Sequence, residues 1–198
     1  MQPTLYFTLL GAKPKGRHTE QHDVFIDIAS SMKGMVPAIE KFWQDAKPKI
    51  HVDAWQAVTQ VDGFAISIRG RNEPQERHEE KGLKLYFINL GGYKPDHFDE
   101  YHYRMLIVAP DKATAIKHAK NTAFYKHTGF DGAPSHIDDK YGVDVDDMAE
   151  VEDMLPQNTR QKFRIAIEKA SKQHVDTLHL GYWTLEKFKE AAEEKYQR

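Results

Sequence analysis

Two short motifs recur along this chain: Glu-x-His at Glu20 and His22 returns as Glu100 and His102, and His-x-Asp at His51 and Asp53 returns as His136 and Asp138. In an extended strand, side chains two residues apart share a face, so each motif presents an imidazole and a carboxylate to one place. If the Glu–His pairs converge across an approximate twofold axis, they form two carboxylates and two imidazoles, a ligand set that suits zinc, iron or manganese. The His–Asp pairs fit a histidine oriented by a carboxylate for general acid–base work. Both motifs have a plainer use, because a carboxylate beside an imidazole also fastens a loop to its own strand by a charge-assisted hydrogen bond. No triad is named from these residues.

Other residue patterns carry less chemistry. Gly11, with Lys13 and Lys15 after it, and the pair Gly91 and Gly92 match neither a P-loop nor a dinucleotide fingerprint, and they read as turn glycines. Tyr6, Phe7, Tyr86 and Phe87 have no basic surround of the kind an RNA-binding sheet needs, and core packing explains them better. The acidic stretch from Asp144 to Asp153 lacks the glycine and the spaced carboxylates of an EF-hand loop, so calcium is not indicated.

The elements that position these residues come in two copies. Residues 5–29 and 85–109 align without a gap, and eight of the 25 positions are identical: Leu5, Tyr6, Phe7, Leu10, Gly11, Glu20, His22 and Ala29 with their counterparts 80 residues on. Chance alone gives about one or two matches at average residue frequencies, so duplication is the better account. Segments 4–10 and 84–90 read as first strands ending at glycine, and 22–29 and 102–109 as buried second strands. A helix starting at Pro37 and one capped by Asp111 follow. Strands near 49–58 and 63–69 then match 135–141 and 162–168, and the tail adds a strand at 175–181. A helix capped by Thr184 closes the chain, with Leu185, Phe188, Ala192 and Tyr196 on its buried stripe.

The expected fold is therefore α+β: two strand-strand-helix-strand-strand units with a mixed or antiparallel sheet, plus a C-terminal helix. Residues 1–70 form copy one, 71–83 a polar linker, and 84–198 copy two. The second copy carries an acidic insertion at 142–160, read as a surface excursion, together with the terminal strand and helix.

Charge and composition exclude several classes. With 28 Lys and Arg against 30 Asp and Glu, the net charge of −2 gives no long-range field for nucleic acid or a membrane surface. There is no cysteine, which removes disulfides and thiolate chemistry and fits a cytoplasmic, reducing setting. The start of the chain shows no export signal, and charges interrupt every apolar run well short of the roughly 20 residues a membrane span takes.

The run from Leu85 to Tyr93, with Glu100 and His102 behind it, resembles a small bacterial family catalogued as domain of unknown function 1543, which occurs as one or two copies per chain. The likeness extends to the His-Val/Ile-Asp block and to the strand entry at Val61, Asp62, Gly63 and Phe64. It departs at Ala12 and Lys13, where the family tends to show glycine and an aromatic residue. The resemblance implies tandem architecture and a bacterial cytoplasmic setting, and brings no catalytic residue with it. The favoured expectation is a soluble protein binding a small molecule or divalent metal between pseudo-symmetric repeats, through Glu20, His22, Glu100 and His102 with His51 and His136 nearby. The alternative is a non-enzymatic interaction module or homo-oligomer, for instance a homodimer.

Overall fold

The computed structural model describes residues 2–93, 96–127 and 144–190. The fold is α+β, and every sheet among the described residues is antiparallel. The chain divides into two units, Met1–Glu79 with Met154–Arg198 and, inserted between those parts, Glu80–Asp153.

In the first unit, β1 (Thr4–Ala12) runs between β2 (Gln21–Ala29) and β3 (His51–Val58), and β10 (His179–Thr184) pairs with the outer side of β3. Helix α1 (Met32–Phe42) covers this sheet and starts earlier than Pro37 suggests. Ser31, in extended conformation, caps it by accepting from the Gly34 amide, and Pro37 lies inside the helix. Met32, Met35, Val36 and Ile39 form the buried stripe, meeting Tyr6, Leu10, Phe25, Val52 and Trp55 from the sheet. Fully buried side chains such as Ile39 contribute about 1.5–3 kcal/mol each, so this stripe, more than helix propensity, holds α1 in place. The closing helix, α5 (Leu185–Glu190), begins after Thr184 as expected and buries Leu185 and Phe188 in the same core; Ala192 and Tyr196 lie outside the described residues.

A second sheet of this unit joins β4 (Gln60–Val61) and β5 (Phe64–Gly70) to β9 (Phe163–Lys169). The two similar segments around residues 64 and 163 pair with each other over their whole length, from Phe64 opposite Lys169 to Gly70 opposite Phe163. Sequence boundaries assign 84–198 to one copy, whereas the described residues 154–190 belong with 2–79, since β9 and β10 each complete an edge there. The bidentate pair between Arg164 and Glu79, at 2.6 and 2.9 Å, clamps β9 to the end of the segment that the sequence marks as a linker.

In the second unit, β6 (Lys84–Tyr93) lies between β7 (Glu100–Ala109) and β8 (Asp144–Glu150), under helix α2 (Lys112–His127). Tyr86, Ile88 and Leu90 alternate on the face that meets Ile107, Ala109, Ala115 and Ala119. The acidic stretch at 142–160 is thus no surface excursion over its described part. It supplies β8, then the short helix α3 (Val151–Met154) and most of α4 (Gln157–Lys162). The segment 135–141, expected to hold the counterpart of β3, lies outside the described residues, and the strand that pairs with β6 where β3 pairs with β1 is β8.

Registers agree closely between the units. Leu5 opposes Ile28 and Gly11 opposes His22, while Leu85 opposes Val108 and Gly91 opposes His102. On the other side Gly11 faces His51 and Gly91 faces Asp144, and both ladders slip at the same place, between Leu9 and Leu10 and between Asn89 and Leu90. The residue each slip leaves without a ladder partner is Asp53 in β3 and Asp146 in β8. A bulge of this kind bends its strand and re-aims a side chain.

Candidate metal centre

Gly11 and Gly91 are strand residues, which corrects their reading as turn glycines. A Cβ on Gly11 would overlap His51 Nε2 and Asp53 Oδ2, and one on Gly91 would overlap the carboxylate of Asp146. Each glycine therefore leaves open the space that polar side chains from the neighbouring strand occupy.

Around Gly11 four side chains converge. His51 Nε2 lies 3.3 Å from Asp53 Oδ1 and 3.4 Å from Glu20 Oε1, and His22 Nε2 lies 3.3 Å from both Glu20 Oε1 and Asp53 Oδ2. Strand pairing causes this, because Gly11 faces His22 on one side and His51 on the other while the bulge adds Asp53 and the incoming loop adds Glu20. Ligand atoms of Glu20, His51 and Asp53 all lie within 4.8 Å of one another, with His22 adjoining two of them.

The spacing fits donors gathered around an ion. Charge-assisted N–H···O bonds close to about 2.7–2.9 Å. Nitrogen and oxygen ligands held about 2.1 Å from a tetrahedral ion instead stand about 3.4 Å apart along each edge. His51 Nε2 and Asp53 Oδ2 are buried and make no hydrogen bond among the described residues. The other ring nitrogen of His51, Nδ1, sits 3.3 Å from the Lys49 carbonyl, an arrangement that favours the proton on Nδ1 and turns the Nε2 lone pair toward the carboxylates.

Burial is asymmetric across the site. The His51 side chain is 3% exposed, whereas Glu20 and His22 are 44% and 42% exposed, so the inner wall is dry and the outer one meets water. Burial pushes the Asp53 carboxyl above its ordinary range; His51 and His22 oppose that rise and Glu20 adds to it. Two close carboxylates in this setting gain from a positive charge between them. Tyr182, on β10, packs its ring against His51 with centroids 4.1 Å apart, a neighbour that sequence reasoning did not single out.

The second unit brings together a related but different group. His102 Nδ1 lies 3.1 Å from Asp146 Oδ2, and His102 Nε2 lies 3.8 Å from Glu100 Oε2, so the ring bridges two carboxylates through its two nitrogens. Asn89, buried at the bulge, sits 3.4 Å from His102 Nδ1 and donates to Asp147. Glu20 and His22 thus find partners within the first unit, and Glu100 and His102 within the second. His136 and Asp138 lie outside the described residues, and the backbone position that faces Gly91 as His51 faces Gly11 belongs to Asp144.

Comparison with solved structures places the fold beside the crystal structure of protein Il1583 from Idiomarina loihiensis, with a TM-score of 0.62 and 23% identity over 92% of this chain and 97% of that one. No curated protein matches the chain. The family model described as Domain of Unknown Function (DUF1543) matches residues 17–68 of this chain, a stretch that contains Glu20, His22, His51 and Asp53.

Proposed function

We propose that this protein binds a divalent metal ion in its first unit, with Glu20, His51 and Asp53 as ligands and His22 lining the open side. The observation that carries the reading is His51 Nε2: a buried nitrogen without a hydrogen bond, with two carboxylates 3.3 and 3.4 Å away. Two carboxylates balance a 2+ ion, and the mixed nitrogen and oxygen donors favour zinc, iron or manganese over calcium or magnesium. The exposed flank at Glu20 and His22 leaves room for a coordinated water or small molecule, as catalytic sites have and structural ones lack.

The same reading takes the two units as descendants of one duplicated segment, supported by eight identities in 25 positions and by bulges in matching places. It places the protein in the bacterial cytoplasm, where a chain without cysteine meets no oxidative demand. Calorimetric titration of metal-stripped protein with Zn(II) and Mn(II) tests the site. One ion per first unit, lost in His51→Ala and Asp53→Asn, supports it; unchanged binding in both variants refutes it.

A second reading rests on β10. This strand is an edge of the first unit's four-stranded sheet, and Leu178, Leu180 and Tyr182 on or beside it are exposed. An apolar edge of this kind suits pairing with another strand, including one from a second copy of the chain. Light scattering across a range of concentrations, with Leu180→Lys as control, separates a dimer through this edge from a monomer.

A further inference from the structure

The loop that delivers Glu20 to the site is basic. Between β1 and β2 the chain reads Lys13, Pro14, Lys15, Gly16, Arg17, His18 and Thr19, with no acidic residue before Glu20. Lys13, Lys15 and Arg17 are exposed, and no carboxylate among the described residues pairs with them. The loop is also shaped: the Arg17 amide donates to the Pro14 carbonyl at 3.2 Å, and Gly16 at φ 84° takes the left-handed position of a tight turn. That turn places Lys15 at its tip.

Chain length keeps these charges close to the cluster. The loop leaves β1 immediately after the pair of Gly11 with His22 and Ala12 with Gln21, so Lys13 is two residues from Gly11 and Arg17 three from Glu20. Three residues of extended chain span at most about 11 Å, near the Debye length at physiological salt. Lys13 and Arg17, so near a cation site, oppose metal binding by repulsion, and the two carboxylates already balance a 2+ ion. They make electrostatic sense when an anion is held beside the ion. The corresponding loop of the second unit carries Lys94, Asp96 and Asp99 and is net acidic, so positive charge is not a general demand of this turn.

We infer that the metal centre receives a phosphate-type oxyanion, either free phosphate or the phosphate of a small ester, with one oxygen entering the open side of the ion and the Lys13–Arg17 turn closing over the remaining charge. This rests on the metal reading above. Arginine and lysine beside a metal are the recurrent means of holding such a group, Arg by its planar fork and Lys as a point charge.

Metal-stripped protein is loaded with Co(II), whose visible bands report coordination, and then titrated with inorganic phosphate, phenyl phosphate and acetate. The account expects both phosphates to perturb the Co(II) spectrum and acetate to bind far more weakly. It expects the triple variant Lys13→Ala, Lys15→Ala, Arg17→Ala to lose about tenfold or more in phosphate affinity while keeping its Co(II) affinity undiminished. A protein that takes up no Co(II) overturns the metal reading and this one together. Normal Co(II) uptake with no phosphate response, equal binding of acetate, or unchanged phosphate affinity in the triple variant overturns the anion assignment alone.

Discussion

Gly11 stands directly across the ladder from His51, and the missing Cβ of the glycine is the space that the imidazole Nε2 occupies. Strand propensity disfavours glycine here, so the space has a use that outweighs the loss. Gly11→Ala is predicted to push His51 and Asp53 apart, lowering metal affinity by about 10–100-fold and metal-free stability by about 1–3 kcal/mol. Parallel metal titration and denaturant unfolding measure the two effects.

An ion that binds only the folded chain raises its stability by mass action. At free ion about 100 times Kd the gain is about 2.7 kcal/mol. Thermal melts are predicted to shift upward with added Zn(II) in the native protein and to stay put in Glu20→Gln/His51→Ala. A shift of equal size in that double variant places the ion elsewhere.

The pair of Glu79 and Arg164 ties β9 to the end of the first unit's leading segment, with both carboxylate oxygens engaged and Glu79 buried. Hydrogen bonds from Arg164 hold the Glu79 carboxyl below its ordinary range. Its contribution is therefore full above the ordinary glutamate range and is lost as pH falls through the lowered pKa. Glu79→Gln is predicted to destabilise the protein by about 3 kcal/mol at neutral pH and to flatten the acid limb of the stability profile. Urea unfolding at several pH values measures both.

Asp27 behaves in the opposite sense. Burial on β2 raises its pKa, against hydrogen bonds from Thr159 and the Ile28 amide that lower it. The folded state then holds the proton to higher pH than the unfolded chain does, so stability declines as pH rises from the ordinary aspartate range, about 4, through the raised pKa. Asp27→Asn keeps an acceptor for the Ile28 amide and cannot ionise. Its stability is predicted to lose this decline, and the difference from the native protein to grow across that window.

Much of the first unit's candidate site was legible in its residues. Glu20, His22, His51 and Asp53 stood out by type, by i, i+2 spacing and by recurrence, and antiparallel pairing on either side of Gly11 brings them together. Sequence similarity misled in the second unit. His136, Ile137 and Asp138 look like His51, Val52 and Asp53, yet the register across from Gly91 belongs to Asp144, Val145 and the bulged Asp146. That strand reads Asp-Val-Asp-Asp-Met-Ala-Glu, with too few apolar or β-branched residues to signal a strand locally. What makes it one is the open side of β6, a tertiary demand with no local signature. β5 and β9 were legible as strands near 63–69 and 162–168, but not their pairing, which joins residues about 100 positions apart. The start of α1 was missed for a local reason, because Pro37 drew the boundary inward while the Ser31 cap and the Met32–Met35 turn had already begun the helix.

The most direct test is diffraction from crystals of the protein grown with Mn(II) or Zn(II), collected at the absorption edge of the metal. The account predicts an anomalous peak about 2.0–2.3 Å from His51 Nε2 and from a carboxylate oxygen of each of Glu20 and Asp53. A fully loaded crystal whose anomalous density lies away from His51 would contradict it.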